Sequence, residues 1–506
     1  MKLRLKISFS LFLFTQILHA QNVKTRLEEY FLALRESQQF NGNVLIAVNG
    51  KTIYEHSFGY SDFTTKDVNT KNTVFPVASL SKTITTTAIL QLVEAGKLKI
   101  SDPVIKHLTN FPYVTITIKH LLSHISGLPP YNAYFDSTKK QHPDKVFTNA
   151  DFMNGLMKNK KSLMYQPGEK GNYDNINFIV LALILEKVSG MTYSNYIKKY
   201  ILEPAGMTNT AFFPLKLQYA QNRNARFAFP HLYPHLYSDS LVKANAVPYV
   251  ASYWHAYNFN GFGDYISTTH DLLMYDKAYY NGKLLSDATV KEAFTPVKLN
   301  NGINNPENFG LGWEIEKDSS LGKVVYHSGV ATGLSSILLR NISRHQTVIV
   351  FDNTHYNAHE IAYNALKILN EIQVPCPRKS IAKIYARVLL SRGADAARDT
   401  VDVLRKDTLN YMLSEDEMNS LGYDFMGGSN NPNPYHFTEE HKYAEAVETF
   451  KLNMEFFPDS WNVYDSYGEA LLTIGQKEEA IKMYKKSIEL NPKNEGGRKA
   501  LAQLLK

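Results

Sequence analysis

The possible folds of this chain are restricted most by where its strand-forming segments fall. Two alternating runs, Asn43 to Val48 and Lys51 to Phe58, are joined by Asn49-Gly50, a dipeptide suited to the positive φ angles of a two-residue hairpin turn. Strand character then returns only late, in Lys323 to His327, Ser335 to Arg340 and Thr347 to Asp352, which are short and rich in Val, Ile and Leu. Between these groups the apolar residues follow helical spacing in Lys82 to Glu94, Ile118 to Ser123, Asn175 to Ser189 and Tyr193 to Tyr200. The first three are punctuated by Gly96, by Gly127 with Pro129, and by Gly190. Further helical patterns occupy Val23 to Glu36 and His359 to Gln373. This order predicts an α+β unit: one sheet assembled from both ends of the segment, helices packed on it, and an all-α insertion beside it.

A chain of 506 residues is long enough for two or more domains, and Pro375 to Pro377 marks a boundary beyond which every periodic segment reads as helix. A period of 34 residues appears there: Ala446 recurs as Ala480, Phe450 as Tyr484 and Pro458 as Pro492. The copy from Trp461 to Asn494 also carries Tyr464, Gly468 and Leu471, a spacing that resembles a tetratricopeptide helix pair. Leu421-Gly422-Tyr423 matches Tyr467-Gly468-Glu469 once an insertion in the polar stretch from Gly427 to Tyr435 is allowed. Ser380 to Lys406 reads as a further, degenerate pair. A helix pair of this kind cannot bury its apolar face alone, so the small and aromatic positions are expected to be packing positions. Such helices brace the rest of the chain or offer a concave face to a peptide or protein partner; with so few pairs, bracing is the expectation.

Lys2, Arg4 and Lys6, the apolar run Ile7 to Leu18 and the small residue Ala20 before Gln21 read as a signal peptide cleaved near Ala20-Gln21. The expectation is a secreted or periplasmic protein without a stable membrane anchor, the apolar run being short for a ~30 Å hydrocarbon core. Cys376 is the one cysteine, so no internal disulfide can form. The net charge of +7 is modest for the length, and no dense basic run is interleaved with aromatics, which argues against nucleic acid as a partner.

The chemistry begins at Ser79-Leu80-Ser81-Lys82, at the start of an apolar-periodic helix. Residues three apart share a helix face, so Ser79 and Lys82 point the same way. The positive end of the helix dipole disfavours the Lys82 cation, and the first backbone amides are unpaired, leaving the Ser79 N–H free to help hold an oxyanion. Alone this motif reads better as a serine N-cap followed by a solvated lysine. Its meaning comes from two later motifs, in order. Pro167-Gly168-Glu169-Lys170-Gly171-Asn172-Tyr173-Asp174-Asn175 precedes an apolar helix, and His327-Ser328-Gly329 ends a strand.

A nucleophile S-x-x-K, a Y-x-N and a strand-borne H-x-G resemble the serine beta-lactamase and penicillin-binding-protein superfamily, most closely its class C-like branch of esterases and D-amino-acid peptidases. Leu121 to Pro129, Glu203-Pro204-Ala205-Gly206-Met207 and Phe309-Gly310-Leu311-Gly312-Trp313 add to the resemblance, which covers nearly all of residues 25 to 372. It implies a beta-lactamase/transpeptidase-like antiparallel sheet and a hydrolase domain over 21–373, after a signal peptide at 1–20. A linker at 374–379 and tetratricopeptide-like repeats at 380–506 complete the chain. It implies that Ser79 is acylated and that Lys82 and Tyr173 act together as base, the phenol losing its proton below its usual pKa of ~10 beside a cation. It further implies that Asn175 hydrogen-bonds the Lys82 amine and the acyl chain, that Gly329 belongs to the substrate-binding strand, and that the N–H of Val330 joins that of Ser79 in the oxyanion hole. No metal or cofactor is required.

Two positions depart from the usual pattern. His327 stands where these enzymes commonly carry a lysine facing the substrate carboxylate; a neutral imidazole there favours neutral esters or amides. Asp174, in the middle of Y-x-N, would oppose a phenolate if it pointed inward, and is expected to face away. His124 is read as structural, Trp313 as core, and Phe227 to Asn260 as either a pocket wall or a packed loop. The expected activity is that of an exported acyl-serine hydrolase on a small ester, amide or D-amino-acid peptide. The alternatives are a beta-lactamase or DD-carboxypeptidase acting on cell-wall peptides and, from another class, a non-catalytic penicillin-binding-like scaffold.

Overall fold

The computed structural model describes residues 22–142, 144–212, 226–247, 250, 257–263, 265–354, 357–427 and 441–506. The signal-peptide segment, part of Phe227 to Asn260 and most of Gly427 to Tyr435 lie outside the described residues. The chain divides into two compact units, the first holding most of 22–374.

In the first unit the early hairpin and the late strands form one sheet. β1 (Gly42–Val48) and β2 (Lys51–Ser57) pair antiparallel, with Asn49 and Gly50 at positive φ in the turn. β3 (Glu314–Ile315), β4 (Val324–Ala331), β5 (Leu334–Asn341) and β6 (Gln346–Asp352) complete the six-stranded order β3-β4-β5-β6-β1-β2. The crossover that joins the two groups is the β1–β6 pair, Gly42 against Asp352 through Val48 against Gln346. The expected strands are all present, each within a few residues of its predicted ends.

Every residue of β5 and β6 is buried, as central strands covered on both faces must be. Alternation assigns the faces. Ser335, at the start of β5, accepts the N–H of Ala358 from helix 358–369, which packs on β5 and β6. Ser336 and Arg340, of opposite parity, turn to the other face: Ser336 Oγ donates to the Val77 carbonyl, and Arg340 meets Asp276 of helix 269–280. The long helical stretch supplies two largely buried helices, the threonine-rich α1 (Ser81–Glu94) and the mainly apolar α2 (Ile176–Ser189), which pack on each other within one continuous core.

Phe309-Gly310-Leu311-Gly312-Trp313 owes its glycines to close approach. A Cβ on Gly310 would lie 2.1 Å from the Ala293 carbonyl, and one on Gly312, at φ +69°, would lie 1.8 Å from Thr86 Oγ1 on α1. Gly312→Ala should therefore destabilise the first unit by about 2–4 kcal/mol, combining left-handed strain with overpacking; a denaturant titration that moves by less than about 1 kcal/mol would show that α1 yields there.

The second unit comprises residues 375–506 together with 32–39 and 232–242. In its helices α3 (Ile381–Arg392), α4 (Ala394–Leu404), α5 (Glu415–Met426), α6 (Tyr443–Phe456), α7 (Trp461–Thr473), α8 (Lys477–Leu490) and α9 (Glu495–Leu504), sequence neighbours pack on each other except α4 and α5, which each pack on α3 and α6. The small and aromatic positions matched by the 34-residue period are contact positions, Ala446, Phe450, Ala480 and Tyr484 being buried, whereas the matched Pro458 and Pro492 are exposed. Gly422 faces the Phe450 ring, and Gly468 faces Met483 and Ala480. The segment 232–242 is held within this unit by the Leu236 N–H on Asp424 Oδ2 at 2.6 Å and by Tyr237 stacked on Phe425 at 4.7 Å.

Candidate active site

Ser79 lies in a 3-10 turn, Ala78–Leu80, that runs directly into α1. Ala78, just before it, is held at φ +46°, a conformation that costs a non-glycine residue energy and persists only where its surroundings enforce it. The enforcing partners are the Val77 N–H bonded to the Tyr265 carbonyl and the Ser336 hydroxyl on the Val77 carbonyl. Strand β4 presses against this turn: a Cβ on Gly329 would stand 2.1 Å from the Val77 carbonyl and 3.1 Å from the Leu80 nitrogen. Gly329 thus lets the strand carrying His327 and Val330 lie against the serine turn. Val330 is exposed.

At the second residue of α1, three positions after Ser79, Lys82 is fully buried, and its Nζ donates to Ser79 Oγ at 3.0 Å, Asn175 Oδ1 at 2.7 Å and the Phe262 carbonyl at 3.2 Å. It also lies over the Tyr173 ring, 4.9 Å from its centroid. Two of those acceptors can hold the two N–H bonds of a neutral amine, which would leave its lone pair for the Ser79 hydroxyl. Ser79, Lys82, Tyr173 and Asn175 are therefore brought together, with His327 close by at 6.3 Å between its ring and that of Tyr173.

Tyr173 corrects the expectation of an acidic phenol. Burial raises its pKa well above the usual value, and Glu314, Asp174 and Glu307 add to the rise, while the neighbouring Ser79 side chain counters part of it. The resting group is a neutral phenol, because a buried anion facing three carboxylates is disfavoured. Asp174 does not turn away from the site without effect: its carboxylate caps α2 by accepting the Ile176 N–H at 2.9 Å, yet its charge still reaches Tyr173.

His124 has more to do than its sequence position suggested. It is fully buried at φ +56° with its ring 4.3 Å from that of Tyr173. Its Nδ1 accepts the Asp174 N–H at 3.2 Å and lies 3.2 Å from Asn177 Nδ2, while its carbonyl accepts the Asn172 N–H. Burial and the nearby Lys82 charge hold its pKa well below the usual histidine value. It is a neutral platform that positions Tyr173. The only signal in the sequence was its place in Leu121 to Pro129.

His327 is likewise buried, and burial together with Lys82 pushes its pKa down to about 3. Its Nδ1 lies 2.7 Å from the Ser328 carbonyl, which commits the ring proton to Nδ1. Glu314, which no motif singled out, sits beside it with Oε1 4.0 Å from Nδ1 and a pKa pushed up to about 7, chiefly by burial. Of the stretch Phe227 to Asn260, residues 232–242 group with the second unit and 248, 249 and 251–256 lie outside the described residues.

The family described as Beta-lactamase matches residues 25–371. Penicillin-binding protein 4* of Bacillus subtilis (strain 168) is 37% identical over 338 residues, covering 66% of this chain and 72% of that protein. Among solved structures, the octameric penicillin-binding protein homologue from Pyrococcus abyssi aligns with a TM-score of 0.57 at 26% identity, over 73% of this chain and 81% of that one. EstCE1, a hydrolase with promiscuous acyltransferase activity, aligns with a TM-score of 0.55 at 21% identity, over 69% and 98%. D-amino acid amidase from Ochrobactrum anthropi SV3 aligns at 0.53 and 19%, over 68% and 97%, which is a likeness of fold.

Proposed function

The chain belongs to the beta-lactamase family of serine hydrolases, and from that premise we propose that it is an exported enzyme forming an acyl-enzyme on Ser79 and hydrolysing an ester or amide. The observation that carries this reading is Lys82 Nζ at 3.0 Å from Ser79 Oγ, buried and tied to Asn175. Ser79 Oγ bonds to the substrate carbonyl carbon as its proton passes to Lys82 Nζ. The oxyanion is held by the N–H groups of Ser79 and Val330, donors typically worth about 3–4 kcal/mol each. Collapse expels the leaving group, which takes the Tyr173 hydroxyl proton; Lys82 returns its extra proton to Tyr173. Water then cleaves the acyl ester by the same relay.

A neutral His327, in place of a fixed cation, supports neutral esters, amides or D-amino-acid peptides as substrates. The likeness to a penicillin-binding protein favours a second reading, cleavage of beta-lactams or cell-wall stem peptides. For the second unit, the buried small and aromatic residues at the 34-residue period support tetratricopeptide-like repeats, with bracing as their role and a peptide partner as the alternative.

Intact-mass spectrometry after exposure to a fluorophosphonate tests the catalytic reading: one adduct on the wild type and none on Ser79→Ala is the expected result. Labelling of neither protein would leave a non-catalytic scaffold as the better reading. Nitrocefin turnover comparable to that of a neutral ester would favour the second substrate class.

A further inference from the structure

Glu314 lies in β3 opposite Tyr326 of β4, one residue out of register with His327. Its neighbours come from four segments: Tyr326, His327 and the Ser328 amide from β4, Glu307 from the turn before β3, Lys82 from α1, and Tyr173 before α2. With the ring proton of His327 directed to the Ser328 carbonyl, Nε2 is a buried acceptor without a hydrogen-bond partner among the described residues. On the Nδ1 side of the same ring stands the Glu314 carboxyl, its Oε1 4.0 Å from Nδ1, and Glu314, Asp174 and Glu307 all act on the Tyr173 hydroxyl.

We propose that Glu314 is a specificity-determining residue, seated behind His327, that makes the site favour a substrate carrying a positive charge close to the scissile carbonyl over a neutral or anionic one of the same shape. This rests on the acyl-serine reading above. The geometry gives the preference two parts: a bare imidazole nitrogen that accepts from an N–H donor, and a carboxylate in a poorly solvated setting that attracts the charge. A substrate carboxylate would meet the same groups as repulsion.

The preference should depend on pH in one direction. Burial and Glu307 keep the proton on Glu314 until about pH 7. Below that pH the carboxyl is neutral and attracts nothing; above it the carboxylate is present. His327 stays neutral throughout, its pKa being about 3, so it adds no charge change in the same range.

The test uses the full chain and two phenyl esters of matched shape, those of trimethylammonioacetic acid and 3,3-dimethylbutanoic acid, one permanently cationic and one neutral. The kcat/KM ratio of cationic to neutral ester is followed from about pH 5.5 to about pH 8.5 at low ionic strength. In the wild type the ratio should rise about five- to tenfold through neutrality; in Glu314→Gln, whose amide can still accept hydrogen bonds, it should stay flat. If Glu314→Gln does not fold, Glu314→Ala takes its place, because Asp174 is a second carboxyl whose proton burial retains and which could move the wild-type ratio by itself. A flat wild-type ratio, or a rise that survives in Glu314→Gln, overturns the inference while Ser79-dependent turnover of the neutral ester leaves the parent reading standing. If the wild type cleaves neither ester and takes no fluorophosphonate, both fall together.

Discussion

Replacing Lys82 by alanine should slow acylation of Ser79 by about 10²–10⁴-fold, the range that a positioned general base supplies. Among the described residues Lys82 is the one amine in contact with Ser79 Oγ, and the neutral state of Tyr173 leaves no phenolate at rest to take its place. The measurement is the pseudo-first-order rate of fluorophosphonate labelling, with kcat/KM on a neutral ester beside it. Lys82→Arg separates proton transfer from charge. A guanidinium cannot shed its proton at these pH values, so the arginine variant should be as impaired as the alanine one. Retention of activity in Lys82→Arg would assign Lys82 an electrostatic role and return the base to Tyr173.

The second large effect is on stability. Asp276→Ala should cost the first unit about 3–5 kcal/mol, because it strands a buried guanidinium. Arg340 Nε lies 2.6 Å from Asp276 Oδ1, and both side chains are almost wholly shielded from solvent. Thr347 donates to the other carboxylate oxygen at 2.7 Å. The rings of Tyr280, Tyr279, Phe294 and Trp313 surround the guanidinium, 4.3 to 5.9 Å from its carbon, and provide no anion. Urea unfolding monitored by tryptophan fluorescence reads the cost. The double replacement Asp276→Leu with Arg340→Met should recover most of it, since removing both charges also removes their desolvation penalty. A single mutant within about 1 kcal/mol of wild type would mean that water reaches the pair.

The late position of β4, β5 and β6 and the early hairpin were legible because strands and hairpin turns advertise themselves over a few residues. That they share one sheet came from order alone. The pairing of Ser79 with Lys82 was legible for the same reason, three residues on one helix being a local relation. Glu314 escaped notice because a lone acid in a two-residue strand carries no pattern, and its importance comes from His327 across the strand pair. His124 reads as a structural residue in the sequence, but nothing in Leu121 to Pro129 says which ring it lies against.

The protonation of Tyr173 marks the division most clearly. The resemblance implied a phenol acidified by the Lys82 cation; the folded chain buries that phenol, and burial together with Glu314, Asp174 and Glu307 raises its pKa. So too with residues 232–242, which lie within the hydrolase in sequence yet group with the helical unit. By itself the sequence determined the elements and their order, which rest on local spacing, and the family, which rests on the order of short motifs along the chain. Only the tertiary structure decided which charges face one another and how much water separates them. Dielectric and long-range contact are properties of the packed chain, and no short stretch of residues contains them.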